Sequence, residues 1–185
     1  MFRKMMAAAL MVTVAMAAPP AGAEIEKTAG VGEAGCNGVC LHWWPKLTIP
    51  KGWKQDLAFS RENNVNLIVP NEDPGNVGIY AGAFDDPQSK SVADFLQGDR
   101  ETFAKNHPGM KVLDGPVFAT ADGHKLPSLD FQPAGKGNWD LTAYGEETDK
   151  DGNHYFTTFT LSAPTKALRD KYQPVFIQVL AAYRR

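Results

Sequence analysis

The chain has 185 residues, 19 Lys and Arg against 21 Asp and Glu, a net charge of −2 and 43% hydrophobic residues. That length suits one ordinary domain with one sizeable core. The balanced charge, with no basic patch or Lys/Arg run, argues against nucleic acid and anionic membrane as partners.

The first segment reads as an address. Arg3 and Lys4 precede an uncharged apolar run from Met5 to Ala18. Pro19-Pro20 breaks the run, and Ala21-Gly22-Ala23 supplies the small residues that signal peptidase needs before Glu24. The run is shorter than the ~20 residues that span a bilayer, so residues 1–23 are expected to be a cleaved signal peptide. Ala34-Gly35-Cys36 faintly resembles a lipobox, but Glu33 and the distance from the apolar run argue against a lipid anchor. Removing Arg3 and Lys4 leaves 17 basic residues against 21 acidic ones, a net charge of −4. A periplasmic or extracellular protein without a further membrane span is expected.

Residues 24–43 read as an N-terminal arm holding both cysteines, in "CNGVCLHWWP". In an oxidising compartment Cys36 and Cys40 most simply form a disulfide, through a turn at Asn37-Gly38. So small a loop contributes only ~2 kcal/mol on the chain-entropy argument. A redox site normally spaces its cysteines by two residues and opens a helix, whereas here three intervene and Trp43-Trp44-Pro45 follows. A metal site would use Cys36, Cys40 and His42, yet structural zinc takes four ligands and no fourth is near in sequence. Trp43, Trp44 and Trp53 suit a core or lid; facing solvent, they would form a binding surface.

Downstream, "KLTIPKGWKQDLAFS" reads as two short strands broken at Pro50-Lys51-Gly52. "NVNLIVP" alternates, with Val65, Leu67 and Val69 on one face, and "NVGIYAGAF" follows a turn. "SVADFLQGDRETFAKNHPG" predicts a helix capped by Ser91, with Asp94 placed as in a capping box. Val92, Phe95, Leu96 and Phe103 form its apolar side, Asp99 breaks it, and Pro108-Gly109 stops it near His107. Strands are expected in "MKVLDGPVFATADGHKLPSLDFQP", with a turn at Asp122-Gly123. "NWDLTAYGEE" and "NHYFTTFTLSA" form the clearest hairpin. Its loop places Asp149, Asp151 and Asn153 at calcium-loop positions, but His154 stands where glycine belongs and Thr160 where glutamate belongs, so it reads as a turn. The last segment carries an apolar stripe of Leu168, Tyr172, Val175, Phe176, Val179, Leu180 and Tyr183. Pro174 predicts a kink or a break near Gln173.

No catalytic motif appears. His107, His124 and His154 lie beside turns or strand starts, and "AGKGN" (134–138) lacks the spacing that wraps a phosphate. Asp85-Asp86 and Glu146-Glu147 read as solvated charge or at most a loose cation site.

The order of elements, opening on "IPKGW" and including the "SVADFLQGDRETF" helix, resembles the PsbP-like family. That family includes extrinsic subunits of photosystem II and DcrB-like bacterial envelope proteins. The likeness covers roughly Trp44 to Tyr183, so residues 44–185 form the expected domain. It implies an α+β fold, an antiparallel sheet flanked by helices as an α-β-α sandwich. It also implies a non-catalytic role without cofactor, binding or stabilising an envelope protein partner or a small ligand. The alternative is a thiol-disulfide or metal-handling protein using Cys36, Cys40 and His42.

Overall fold

The computed structural model describes residues 25–31, 39–72 and 75–184. The expected signal peptide and the Cys36–Cys40 pairing lie outside them. Strands β1 (Ile25–Val31) and β2 (Val39–Pro45) pair as an antiparallel ribbon, with Cys40 opposite Gly30. Then follow β3 (Trp53–Gln55), α1 (Leu57–Asn63), β4 (Asn66–Pro70), β5 (Gly78–Phe84) and α2 (Val92–Asn106). Four short strands come next: β6 (Lys111–Asp114), β7 (Phe118–Ala119), β8 (Lys125–Leu126) and β9 (Ser128–Gln132). The chain closes with β10 (Trp139–Thr148), β11 (His154–Ala163) and α3 (Lys166–Ala182).

Seven strands form one antiparallel sheet in the order β3-β4-β5-β11-β10-β9-β6. Side chains alternate across each strand, so the sheet has two distinct faces. On one face Ile68, Ile79, Ala81, Leu141, Phe159 and Leu161 are buried against Phe176, Val179 and Leu180 of α3. On the other, Leu129, Phe131 and Tyr144 pack under Val92, Phe95, Leu96 and Phe103 of α2. The molecule is therefore α+β, with helices on both faces of a large antiparallel sheet. Because both faces are covered, β4 buries Ile68 as well as Leu67, rather than a single face as its alternation suggested.

The ribbon belongs to the same packing. Ile25 and Trp43 meet Ala83 and Tyr155, which extend the rows of Ala81 and Phe159 beyond α3. Asn66 Nδ2 donates to the Pro45 carbonyl at 3.1 Å, and the Trp43 N–H donates to Asn64 Oδ1 at 2.8 Å.

Local signals set α2 as the sequence predicts. Ser91 Oγ accepts the Asp94 N–H at 3.2 Å, Asp94 reaches back to the Lys90 N–H, and His107 is the C-cap. Asp99, which interrupts the apolar stripe, accepts the Tyr144 hydroxyl at 3.0 Å. The polar break is thus a half-buried hydrogen bond to the sheet.

Two expectations are corrected. Residues 46–50 form no strand, and "LAFSREN" is the helix α1 instead. Asp56 accepts the Phe59 N–H to start it, and Asn64, at φ 51°, ends it in the left-handed region. Pro174 does not divide the last helix, which runs unbroken from Lys166 to Ala182. Proline removes one backbone donor, and the buried stripe on either side outweighs that loss.

The outer strand β6 is protected as well. Arg100 of α2 donates to the Val112 carbonyl at 3.0 Å and pairs with Asp114. A bulky cation across an outer strand hinders pairing with another chain. Among the described residues no helix is long and apolar enough to cross a membrane.

Candidate functional site: a polar cleft over Asp140

The residues nominated by sequence fall in different places. Cys36 is outside the described residues, and His42 is buried beside Trp44, ring centroids 6.0 Å apart. Trp44 is 1% exposed, and its Nε1 donates to Glu26 at 3.1 Å. Trp53 is buried edge-on against Tyr172 of α3, and Trp43 is half-buried. None of the three indoles presents a wide open ring. Among the described residues, no group of three or more His, Cys, Asp or Glu could hold a metal ion.

Of the acidic pairs, Asp85 is exposed as expected, and Glu147 differs. Glu147 is buried rather than solvated and accepts the Tyr183 hydroxyl. Asp86 accepts the Gln88 N–H and the Ser89 hydroxyl, which hold its carboxyl below the usual range. Asp149 accepts the backbone N–H of Asp151 and of Asn153, each at 2.9 Å, as an aspartate does in a tight turn. Lys27 reaches it from the ribbon at 2.5 Å, so an ammonium occupies the cation position of the hairpin loop. That partner is the main cause that depresses the Asp149 pKa.

A cleft of about 590 Å³ opens where α2 ends beside the β9–β10 loop. Phe103, His107 and Met110 form one wall, and residues 133–138 form the other. The walls are close because glycines permit it. A Cβ on Gly109 would lie 3.2 Å from Ala134 Cβ, and Gly109 has φ 86°. Gly137, at φ 144°, allows the loop to fold against Pro133 in the same way. Phe103 stacks on His107 and also meets Phe131, so this wall is braced from the core beneath the sheet.

Asp140 also lines the cleft, on the strand face shared by Thr142 and Tyr144. Asn138 Nδ2 donates to Ser162 Oγ at 3.0 Å, and Ser162 in turn hydrogen-bonds the Asp140 carboxyl. The Asp140 Oδ1 atom is buried without a hydrogen-bond partner among the described residues. Burial pushes the Asp140 pKa up, against the opposing effects of Ser162 and the Arg169 charge. Tyr80 is pushed up too, by burial first and then by Asp140. At the rim, exposed Lys136 makes no ion pair or hydrogen bond among the described residues.

A buried acid with one unpartnered oxygen costs stability in its charged form. The folded protein binds the Asp140 proton more tightly than the unfolded chain does. Stability from this group is therefore full below the unfolded pKa of about 4 and is lost as pH rises through the higher folded value. Asp140→Asn is expected to raise stability by about 1 kcal/mol at pH 7, with the gain vanishing below about pH 4. Urea denaturation at both pH values checks this; a gain that grows on acidification overturns it.

The sequence showed the loop but not the site. "AGKGN" was legible as a glycine-rich connection, and Asp140 as one polar position in an alternating strand. Only the placement of the end of α2 beside the β9–β10 loop puts the half-buried Asp140 at a cleft. No protein-family model matches the chain, and neither does any curated protein.

Proposed function

We propose that the chain is an exported, non-catalytic binding protein of the PsbP-like class, and that its ligand is a small polar molecule held in the cleft over Asp140. The observation that carries the reading is an open cleft whose lining joins His107, Lys136, Asn138 and Asp140 to the apolar Phe103 and Met110. Polar groups beside apolar walls suit a small polar ligand, whose orientation the polar groups would fix. The antiparallel sheet with helices on both faces accords with that class.

Native mass spectrometry of the protein purified from its own envelope tests this. The expected result is a small-molecule adduct on the wild type that is absent from Asp140→Ala. An adduct retained equally by both proteins, or a second protein chain in its place, overturns the cleft as the binding seat.

A further inference from the structure

We infer that the open part of the sheet face between α1 and α2 is a platform for a neutral oligosaccharide, its sugar rings stacked on Tyr80 and Phe84 and its hydroxyls bonded to Thr158 and Thr160. This goes beyond the cleft as a binding seat and does not depend on it. Strand β5 reads "GIYAGAF", with an aromatic residue two positions after each glycine. Alternate residues share a face, so Gly78, Tyr80, Gly82 and Phe84 form one row. A Cβ on Gly82 would lie 2.8 Å from the Phe84 ring, and one on Gly78 would lie 3.4 Å from the Tyr80 ring. Each ring therefore leans back over its glycine and lies along the sheet instead of standing off it. The two rings are four residues apart, ~13 Å along the strand.

The helices leave this row accessible. Helix α1 packs on β4, with Phe59 edge-on to Tyr80. Helix α2 crosses from β11, where Phe95 stacks on Phe156, to β9, where Phe103 meets Phe131. Between them Tyr80, Thr158 and Thr160 are half-exposed, and Phe84 is 42% exposed. Thr158 stands opposite Gly82 and Thr160 opposite Tyr80, and Thr160 shares a hydrogen bond of 2.9 Å with Thr142. None of these side chains is charged, so an ionic ligand finds no counter-charge on the platform. A lipid chain would cover the threonine hydroxyls without bonding them. A pyranose brings C–H faces for the rings and hydroxyl edges for the threonines. The platform also borders the cleft, because Asp140 precedes Thr142 by two residues on the same strand face.

Isothermal titration tests the inference with hexamers of β-1,4-linked glucose, β-1,4-linked N-acetylglucosamine and α-1,4-linked glucose. Glucose, hexalysine and decanoate are the controls, and amide shifts in the NMR spectrum at Gly82, Phe84 and Thr158 report the place. At least one hexamer is expected to move those amides and to bind about tenfold or more tightly than every control, since glucose engages one ring at a time. Phe84→Leu keeps an apolar cover over Gly82 but removes the ring, and should weaken that hexamer about tenfold; Phe84→Trp keeps a ring and should retain it. Unchanged binding by Phe84→Leu would show that the ring only covers its glycine, and overturns the platform. Silence of all three hexamers at these amides overturns it as well. A hexamer that moves only Gly137 and Asn138 overturns the platform while supporting the cleft as a seat.

Discussion

Replacing Phe176 by alanine is expected to cost about 3–5 kcal/mol. Phe176 is 0% exposed and stands at the centre of the α3 face, between the buried sheet residues and the equally buried Val179 and Leu180. Its ring meets Phe118 edge-on at 5.6 Å, so truncation removes an aromatic pair and leaves a cavity. Urea denaturation reads the loss as a lower midpoint at unchanged slope. The comparison that sharpens it is a Cys36→Ser, Cys40→Ser variant. A loop of that size contributes at most ~2 kcal/mol, so the cysteine variant should be the milder of the two. A reversed ranking would show that α3 does not seal the main core.

Arg169→Ala is expected to cost about 3 kcal/mol, which a reading of α3 as an apolar stripe does not anticipate. The Arg169 side chain is 6% exposed and pairs with Asp130 of β9. A second arm reaches Asp170 at 3.1 Å, and the guanidinium lies over Trp139 at 5.6 Å from the ring centre. Removal leaves Asp130, 20% exposed, without its main counter-charge. The cost arises mainly from that stranded carboxylate. The double variant Arg169→Ala, Asp130→Ala should therefore be less destabilised than the sum of the two single changes. Strict additivity in the same denaturation series would overturn the account.

These two residues mark where local reading ends. Phe176 belongs to the stripe Leu168, Tyr172, Val175, Phe176, Val179, Leu180 and Tyr183, which repeats at three and four residues and announces a buried helix face. Arg169 lies seven residues before Phe176, on that same face, but its charge suggests solvent. Its burial follows from Asp130, 39 residues away in sequence.

The sequence by itself determined the elements whose signals are contained within a few residues. Ser91, Asp94 and Pro108-Gly109 bound α2; alternation and a turn define the β10–β11 hairpin; helical spacing defines α3. Caps, turns and periodicity act within a few residues, so their energies are written locally. Tertiary structure decided the rest. The β1–β2 ribbon and α1 lack a strong period of their own and are fixed by distant partners, as Lys27 is by Asp149 and Ser60 by the Leu67 N–H it accepts at 3.0 Å. The strand order, which sets β5 beside β11 and β9 beside β6, joins segments far apart in the chain. Asp140 comes to line a cleft only because the end of α2 and the glycine-bearing loop 133–138 meet beside it. Burial is a property of the whole packed molecule rather than of a residue and its neighbours in sequence, which is why the cleft becomes visible only in three dimensions.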